Sequence, residues 1–442
     1  MFDTVFTSVG STTKSFMIYN KHSQPMNISK IYLGKGSSSA YLLNVDGISG
    51  KSISDIDIMG GDSLFVFVQV FINPLSSASP LIVSDSVVFE TNGNVQDVQL
   101  VAVGQDVYLH IPDHTLSNGL PYSLLGTQDM TVTLPNDKPH LFFGYTFIDS
   151  RSIVNMQPDT KCYFHKGAVL VAFDSATLNV QGTYGHEVLF QGDRLEPDYK
   201  EIPGQWGKLW FWAGSKNNVI DYAIIKNGGI GVQVDSNVVT TGAPTLKLSN
   251  TKILNMQAAA IYTTKAAQIR SWNCVFANCG QYVAALTQGG RFNFKQCTFA
   301  NFWNATSRTT PILALNNYEE SGSTIVVRPM DSCYFANCIV YGDMDDELAI
   351  DTVDTGAPGG AFSFKFDRSI LKTLLTTTNA FYYSNIYKNA GPAFVDVGNN
   401  DYHLTSSSLT AINGGNPSVF ITFDIEGYPR DSSPDLGPYE FH

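Results

Sequence analysis

The sequence predicts an all-β chain: an antiparallel sandwich first, then a parallel solenoid closed by a cap. Three observations carry this. Only 15% of the 442 residues are charged and 43% are hydrophobic, whereas globular chains average about 25% charged; Gly, Ser, Thr and Asn fill the difference. Short apolar runs at period 2, split by turn residues, fill the first hundred positions. The second half repeats one phrase, apolar–x–Asn, at intervals suited to a stacked array.

The sandwich is assigned to residues 1–107. Its runs are 15–19 (SFMIY), 28–33 (ISKIYL), 41–45 (YLLNV), 64–71 (LFVFVQVF), 86–89 (SVVF) and 98–103 (VQLVAV). Six or seven such strands fit an immunoglobulin-like sandwich. With no cysteine in this stretch there is no inter-sheet disulfide. No convergent polar groups stand out, so a spacer or docking module is the plainer reading. Residues 108–137 read as a connector. Within it, His110-Ile-Pro-Asp-His114 supplies metal-ligand residue types, but Pro112 denies them a helix, and a solvated loop is favoured.

Residues 138–394 are assigned to the solenoid. The phrase recurs as Ile225-Lys-Asn227, Ile253-Leu-Asn255, Phe276-Ala-Asn278, Phe299-Ala-Asn301 and Phe335-Ala-Asn337, with Asn spacings of 28, 23, 23 and 36. Twenty-three residues hold two or three short strands and their turns, one coil of a parallel β-helix; longer spacings imply inserted loops. Asn suits a sharp corner because it tolerates the left-handed conformation. The five Asn are therefore expected to stack at one corner as a hydrogen-bonded ladder. Cys274, Cys297 and Cys333 each precede the phrase's aromatic by two residues, with Thr251 one coil earlier. They are expected to form an inward column of free, buried thiols. Cys162, Cys279 and Cys338 complete the six, and no CxxC pair suggests zinc or redox chemistry. Residues 187–192 (EVLFQG) spell the target of a picornaviral 3C protease inside a continuing strand pattern.

Candidate chemistry is sparse. A hydrolase needs two carboxylates about 5–9.5 Å apart, and a lyase a cationic base, often with Ca2+. Coil stacking would deliver these as equivalent positions in adjacent repeats, and no such column is present. Two acidic groups remain. Asp193, Glu196, Asp198 and Glu201, with Arg194 and Lys200, are the candidate catalytic acids, ion pairing around a turn being favoured. Asp343, Asp345, Asp346 and Glu347, continuing to Asp351 and Asp354, are the candidate Ca2+ ligands, a solvated inserted loop being favoured. Surplus aromatics point to binding. Tyr199, Trp206, Trp210, Trp212 and Trp303, with Trp272, exceed what a narrow core holds. Flat rings on an outer face can hold sugars, and packing under loops is an equal alternative. Residues 395–442 read as the last coil and a cap. Arg430 with Asp435 and Glu440, and prolines at 429, 434 and 438, suit an ion-paired closure; a sugar or calcium site at Asp424 and Glu426 is the lesser reading.

The first ten residues do not form a signal peptide, and no run of about 18 apolar residues occurs. Twenty-seven basic against 39 acidic residues leave a net charge of −12, which argues against nucleic acid and anionic membrane surfaces. The chain resembles the parallel β-helix surface lipoproteins of Bacteroides and its relatives. The likeness lies in the start (Asp3-Thr-Val-Phe, Gly10-Ser-Thr-Thr), in 176–182 (ATLNVQG) with 205–209 (QWGKL), and in the end (Asp401-Tyr-His-Leu404, Asp424-Ile-Glu-Gly427-Tyr-Pro-Arg430, Asp435-Leu-Gly437-Pro-Tyr-Glu440). It implies a right-handed helix and a lipid anchor upstream of Met1. It also implies display on the outer face of the outer membrane. It supplies no reaction and no functional residues. The resulting expectation is a non-catalytic binding or scaffold protein. Its partner would be an extracellular polysaccharide or an outer-membrane transport complex. A polysaccharide lyase or glycoside hydrolase is the alternative.

Overall fold

A computed structural model describes every residue except 75–79, 237–242, 354–361 and 420. The described residues form strands, turns and three short 3-10 segments, with no α-helix. They divide into two units.

Met1–Tyr108, with Leu195–Lys200, forms the first. One sheet orders Thr4–Phe6, Asn94–Gln105, Leu81–Thr91, Met26–Leu33 and Ser52–Ile58; the other orders Lys14–Tyr19, Ser63–Val70, Tyr41–Val45 and Ile48–Gly50. Alternation sets the core: Val66, Val68 and Val70 are buried while Phe65 and Phe67 are exposed. Burying one face of each sheet is what makes a two-layer sandwich stable. Among the described residues, nine strands replace the expected six or seven. Two of the additions span only three residues, too short for a period to register. In Ser52–Ile58 a left-handed Asp55 (φ 57°) interrupts the alternation.

Leu109–Arg194 and Glu201–His442 form the second unit, a parallel β-helix. The chain visits three long sheets in turn, here called A, B and C, of 11, 10 and 10 described strands. One coil runs Lys252–Met256 in A, Ala259–Thr264 in B and Ala267–Trp272 in C, then returns to A as Val275–Cys279. Inward side chains form one continuous core, including the stacked column Phe294, Phe335, Phe366 and Tyr383 with centroids 5.1, 4.7 and 6.1 Å apart. Residues 108–137 are not a connector. Their strands Tyr108–His110 and Thr131–Leu134 begin sheets A and C, and His114–Thr115, antiparallel to Pro121–Leu124, begins sheet B. His110 is not in a solvated loop: its ring stacks on Phe142 at 4.4 Å and its Nε2 lies 3.0 Å from His140 Nδ1.

The expected corner ladder needs correction. Asn227, Asn255, Asn278 and Asn301 do share the A-to-B corner by register. The first three are left-handed, with φ of 63°, 58° and 55°. Only Asn255 and Asn227 bond each other, at 2.7 Å; Asn278 donates to Asn400 Oδ1 instead. Asn337 belongs to the C-to-A corner. There Tyr222, Asn250, Asn273, Gln296, Asn337, Arg368 and Asn385 form a register-matched, entirely left-handed column. The phrase at Phe335 thus mixed two corners. The true coil from Gln296 to Asn337 is 41 residues long because it carries the hairpin Tyr318–Ser321 and Thr324–Val327.

The thiol column shifts with it. Thr251, Cys274, Cys297 and Cys338 follow the corner residues, whereas Cys333 aligns with Phe292 and Phe364. Each column member donates to the carbonyl two residues before it, as Ser369 does next: Thr251 at 2.7 Å, Cys274 at 3.2 Å, Cys297 at 3.3 Å and Cys338 at 3.3 Å. The left-handed turn leaves that carbonyl facing inward, and a small –OH or –SH satisfies it. All six cysteines are free and buried, and burial pushes the Cys274 and Cys338 thiols up.

The C-terminal segment packs along the outer face of sheet A. Tyr402, Ile425 and Tyr439 cover Val275, Ala277 and Ala300; Leu404, Ala411 and Leu436 cover Ile339 and Ile370. The corner column holds it. Asn273 donates to Phe423 O, Gln296 accepts from Ile421 N, Asn337 exchanges two bonds with Asn416, and Arg368 donates to Gly415 O. Inside it, Arg430 pairs with Glu440 at 2.9 Å, while Asp435 accepts from the amides of Asn413 and Phe441.

Candidate functional site

Strand Lys208–Phe211 shows how sheet B builds an outer face. Leu209 and Phe211 point into the core, so Lys208, Trp210 and the following Trp212 point out. Register places Trp210 beside Val171 in one neighbour and Gln233 in the other, with Tyr262 beyond. It places Trp212 between Phe173 and Asp235.

The result is a row of six rings. Trp210 and Trp212 lie 4.6 Å apart, and Trp212 lies 5.8 Å from Phe173. Phe173 meets Phe147 at 5.9 Å, and Phe147 meets Tyr145 at 6.3 Å and Tyr122 at 5.4 Å. The row crosses four stacked strands, about 14 Å at ~4.8 Å per step. Trp212 is 37% exposed and the others are half-buried.

A polar edge adjoins the tryptophans. Asp235 accepts from Trp210 Nε1 at 2.7 Å, Gln233 Nε2 at 3.0 Å and Thr264 Oγ1 at 2.8 Å. So bonded, its carboxylate orients the indole rather than serving as a free base. Lys208 Nζ donates to Gln233 Oε1 at 2.6 Å and sits 4.3 Å over the Trp210 ring. Burial pulls its ammonium below the usual lysine range, against the attraction of Asp235. Burial likewise raises the Tyr262 phenol. The arrangement offers flat apolar faces beside fixed donors and acceptors, the chemistry that holds a polyol ring by both its C–H face and its hydroxyl edge.

The other sequence candidates scatter. Trp206 is core, 1% exposed, stacked on Phe164 at 4.5 Å and donating to Lys226 O, so it presents no platform. Trp303 is half-buried and donates to Thr306 Oγ1. Tyr199, Glu196 and Asp198 group with the sandwich unit, Asp193 and Glu201 with the β-helix. Asp193 bonds His165 Nδ1 at 2.7 Å, its carboxyl raised by burial, and Glu201 pairs with Lys226 at 3.8 Å. The cation-site reading fails at Glu347. It is fully buried and held by Arg308 through two bonds of 2.7 Å, with Ile312 N and Met344 N donating as well. Asp346 accepts from Thr373, Asp343 and Asp345 are exposed, and Asp354 lies outside the described residues. No group of three or more metal-ligating side chains occurs among the described residues. Asp424 is likewise committed, to the amides of Glu426, Tyr428 and Glu440.

Sequence reading missed Asp235, Gln233, Tyr262, Phe173 and Phe147. Each lies in a period-2 run, and only cross-coil register brings them beside the tryptophans. No curated protein matches the chain in sequence. The family model for the right-handed beta helix region matches residues 160–301, and the solenoid is a right-handed parallel β-helix of that kind.

Proposed function

We propose that the protein is a surface-displayed glycan-binding protein that holds an extracellular polysaccharide without cleaving it. The observation behind this reading is the row of rings on sheet B, ending in the paired Trp210 and Trp212 with their bonded polar edge. A parallel sheet backed by a packed core keeps such a row rigid, so little ordering cost falls on binding. In this reading a lipid anchor ahead of the sandwich attaches the chain to the outer membrane, and a neighbouring transport complex is the natural recipient of what it holds.

The test is affinity electrophoresis across a panel of extracellular polysaccharides. At least one should retard the protein. Trp212→Ala should weaken that retention by roughly 2- to 12-fold, the ~0.5–1.5 kcal/mol of a good aromatic contact. Release of unsaturated or reducing ends above background, or retention indifferent to Trp212, refutes the proposal.

A further inference from the structure

Where the C-terminal segment crosses the outer face of sheet A, its edge leaves a cavity of about 80 Å3. Tyr184, Glu187, Tyr222, Asn250, Lys252 and Glu426 line it. They come from three successive coils and the cap, so the cavity exists only in the assembled solenoid. Tyr184 is 53% exposed at the mouth; the other five are half-buried.

The charges do not balance. Glu187 and Glu426 face one cation, Lys252, whose ammonium sits 5.5 Å from the Tyr439 ring and in no ion pair among the described residues. The lining therefore carries a net −1. Glu426 is braced from behind by His403 Nε2 at 3.3 Å, and His403 by Asp401 at 2.5 Å and by the Tyr439 ring at 3.8 Å. Glu187 accepts from Gly185 N at 3.0 Å. Each carboxylate thus has one bonded support and acceptor capacity left for a ligand. Asn250 is already spent, donating to Asp221 and accepting from Asn273.

We propose that this pocket binds an alkylammonium group, with Glu187 and Glu426 as charge partners and Tyr184 and Tyr222 as aromatic walls. A monocation brings the lining to neutrality, and phenol faces beside carboxylates are what a desolvated ammonium seeks. The field agrees. The Glu426 carboxylate is the main cause that raises the Tyr184 phenol, and burial followed by neighbouring carboxylates raises that of Tyr222. The group can come from an amino sugar or a lysine side chain. The site is separate from the tryptophan face.

The experiment is calorimetric titration of the full chain at pH 7 with four probes: glucosamine, N-acetylglucosamine, glucose and Nα-acetyl-lysine methylamide. At least one of the two amines should bind and the two neutral sugars should not. The tighter amine identifies the source. Glu426→Gln and Tyr184→Ala should each weaken binding at least tenfold, while Trp212→Ala leaves it unchanged. If Glu426→Gln also lowers the thermal midpoint, Tyr184→Ala and Glu187→Gln decide. Failure of both amines, equal binding of the neutral sugars, or indifference to these substitutions overturns the proposal.

Discussion

Replacing Arg308 by Leu should be among the most damaging single changes in the solenoid. Arg308 reaches from the loop after one sheet A strand to Glu347 in the corresponding loop of the next coil. The two side chains are 5% and 0% exposed. The guanidinium makes both fork bonds to the carboxylate and a third to Thr310 O at 2.7 Å. Without it, Glu347 keeps the amides of Ile312 and Met344 and loses the countercharge that Arg308 supplies. Removing one member of a buried pair costs about 3–5 kcal/mol. An exposed pair such as Arg151 with Asp129 is screened by water and contributes far less. Urea unfolding of wild type, Arg308→Leu, Glu347→Leu and the double variant forms the cycle. The double variant should lose at least about 2 kcal/mol less than the two single losses summed, because neither charge is then stranded. A loss below about 1 kcal/mol for Arg308→Leu would show that the pair is not buried in solution, and the reasoning fails with it.

Two further outcomes follow from burial. His110 and His140 are held neutral. His140 Nε2–H donates to Pro135 O at 2.8 Å, so its Nδ1 accepts from His110 Nε2–H. Burial, and then the neighbouring His140, pull His110 down to about 3; burial also lowers His140. Because the folded state resists the protons that the unfolded chain accepts, this stability is intact above about pH 6.5. For His110 it is lost as pH falls toward 3, at ~1.4 kcal/mol per pH unit, and His140 adds a loss of the same sign. Urea midpoints at pH 7.5 and 5.0 should show the drop, reduced in His110→Phe; an unreduced drop places its source elsewhere. The EVLFQG stretch forms the paired strand Val188–Gly192, with Val188, Phe190 and Gly192 buried. Picornaviral 3C protease should leave the folded chain intact and gain access only after partial unfolding in urea; cleavage of the native protein at Gln191 would contradict the strand.

The order of events along the chain was legible because it depends on local pattern. Period-2 runs, turn residues and a 23-residue repeat are properties of consecutive positions, and they announce strands, coils and an inward small-residue column without any distant contact. The Asn and Cys phrases carried that signal well enough to place Asn227, Asn255, Asn278 and Asn301 on one corner. They misplaced Asn337 and Cys333, because the hairpin insertion shifts register and two corners of a coil use the same left-handed chemistry. Charge was the least legible. Glu347 reads as one acid in a surface run until a neighbouring coil brings Arg308 to it, and Trp206 reads like Trp212 until Phe164 stacks beneath it. Whether a side chain is core, clip or platform depends on which coil lies above and below, and the distance between those coils in sequence changes with every insertion. Composition and period therefore determined the solenoid. Only the stacking of coils decided that Trp210, Trp212 and Asp235 share a face, and that the corner residues hold the C-terminal segment in place.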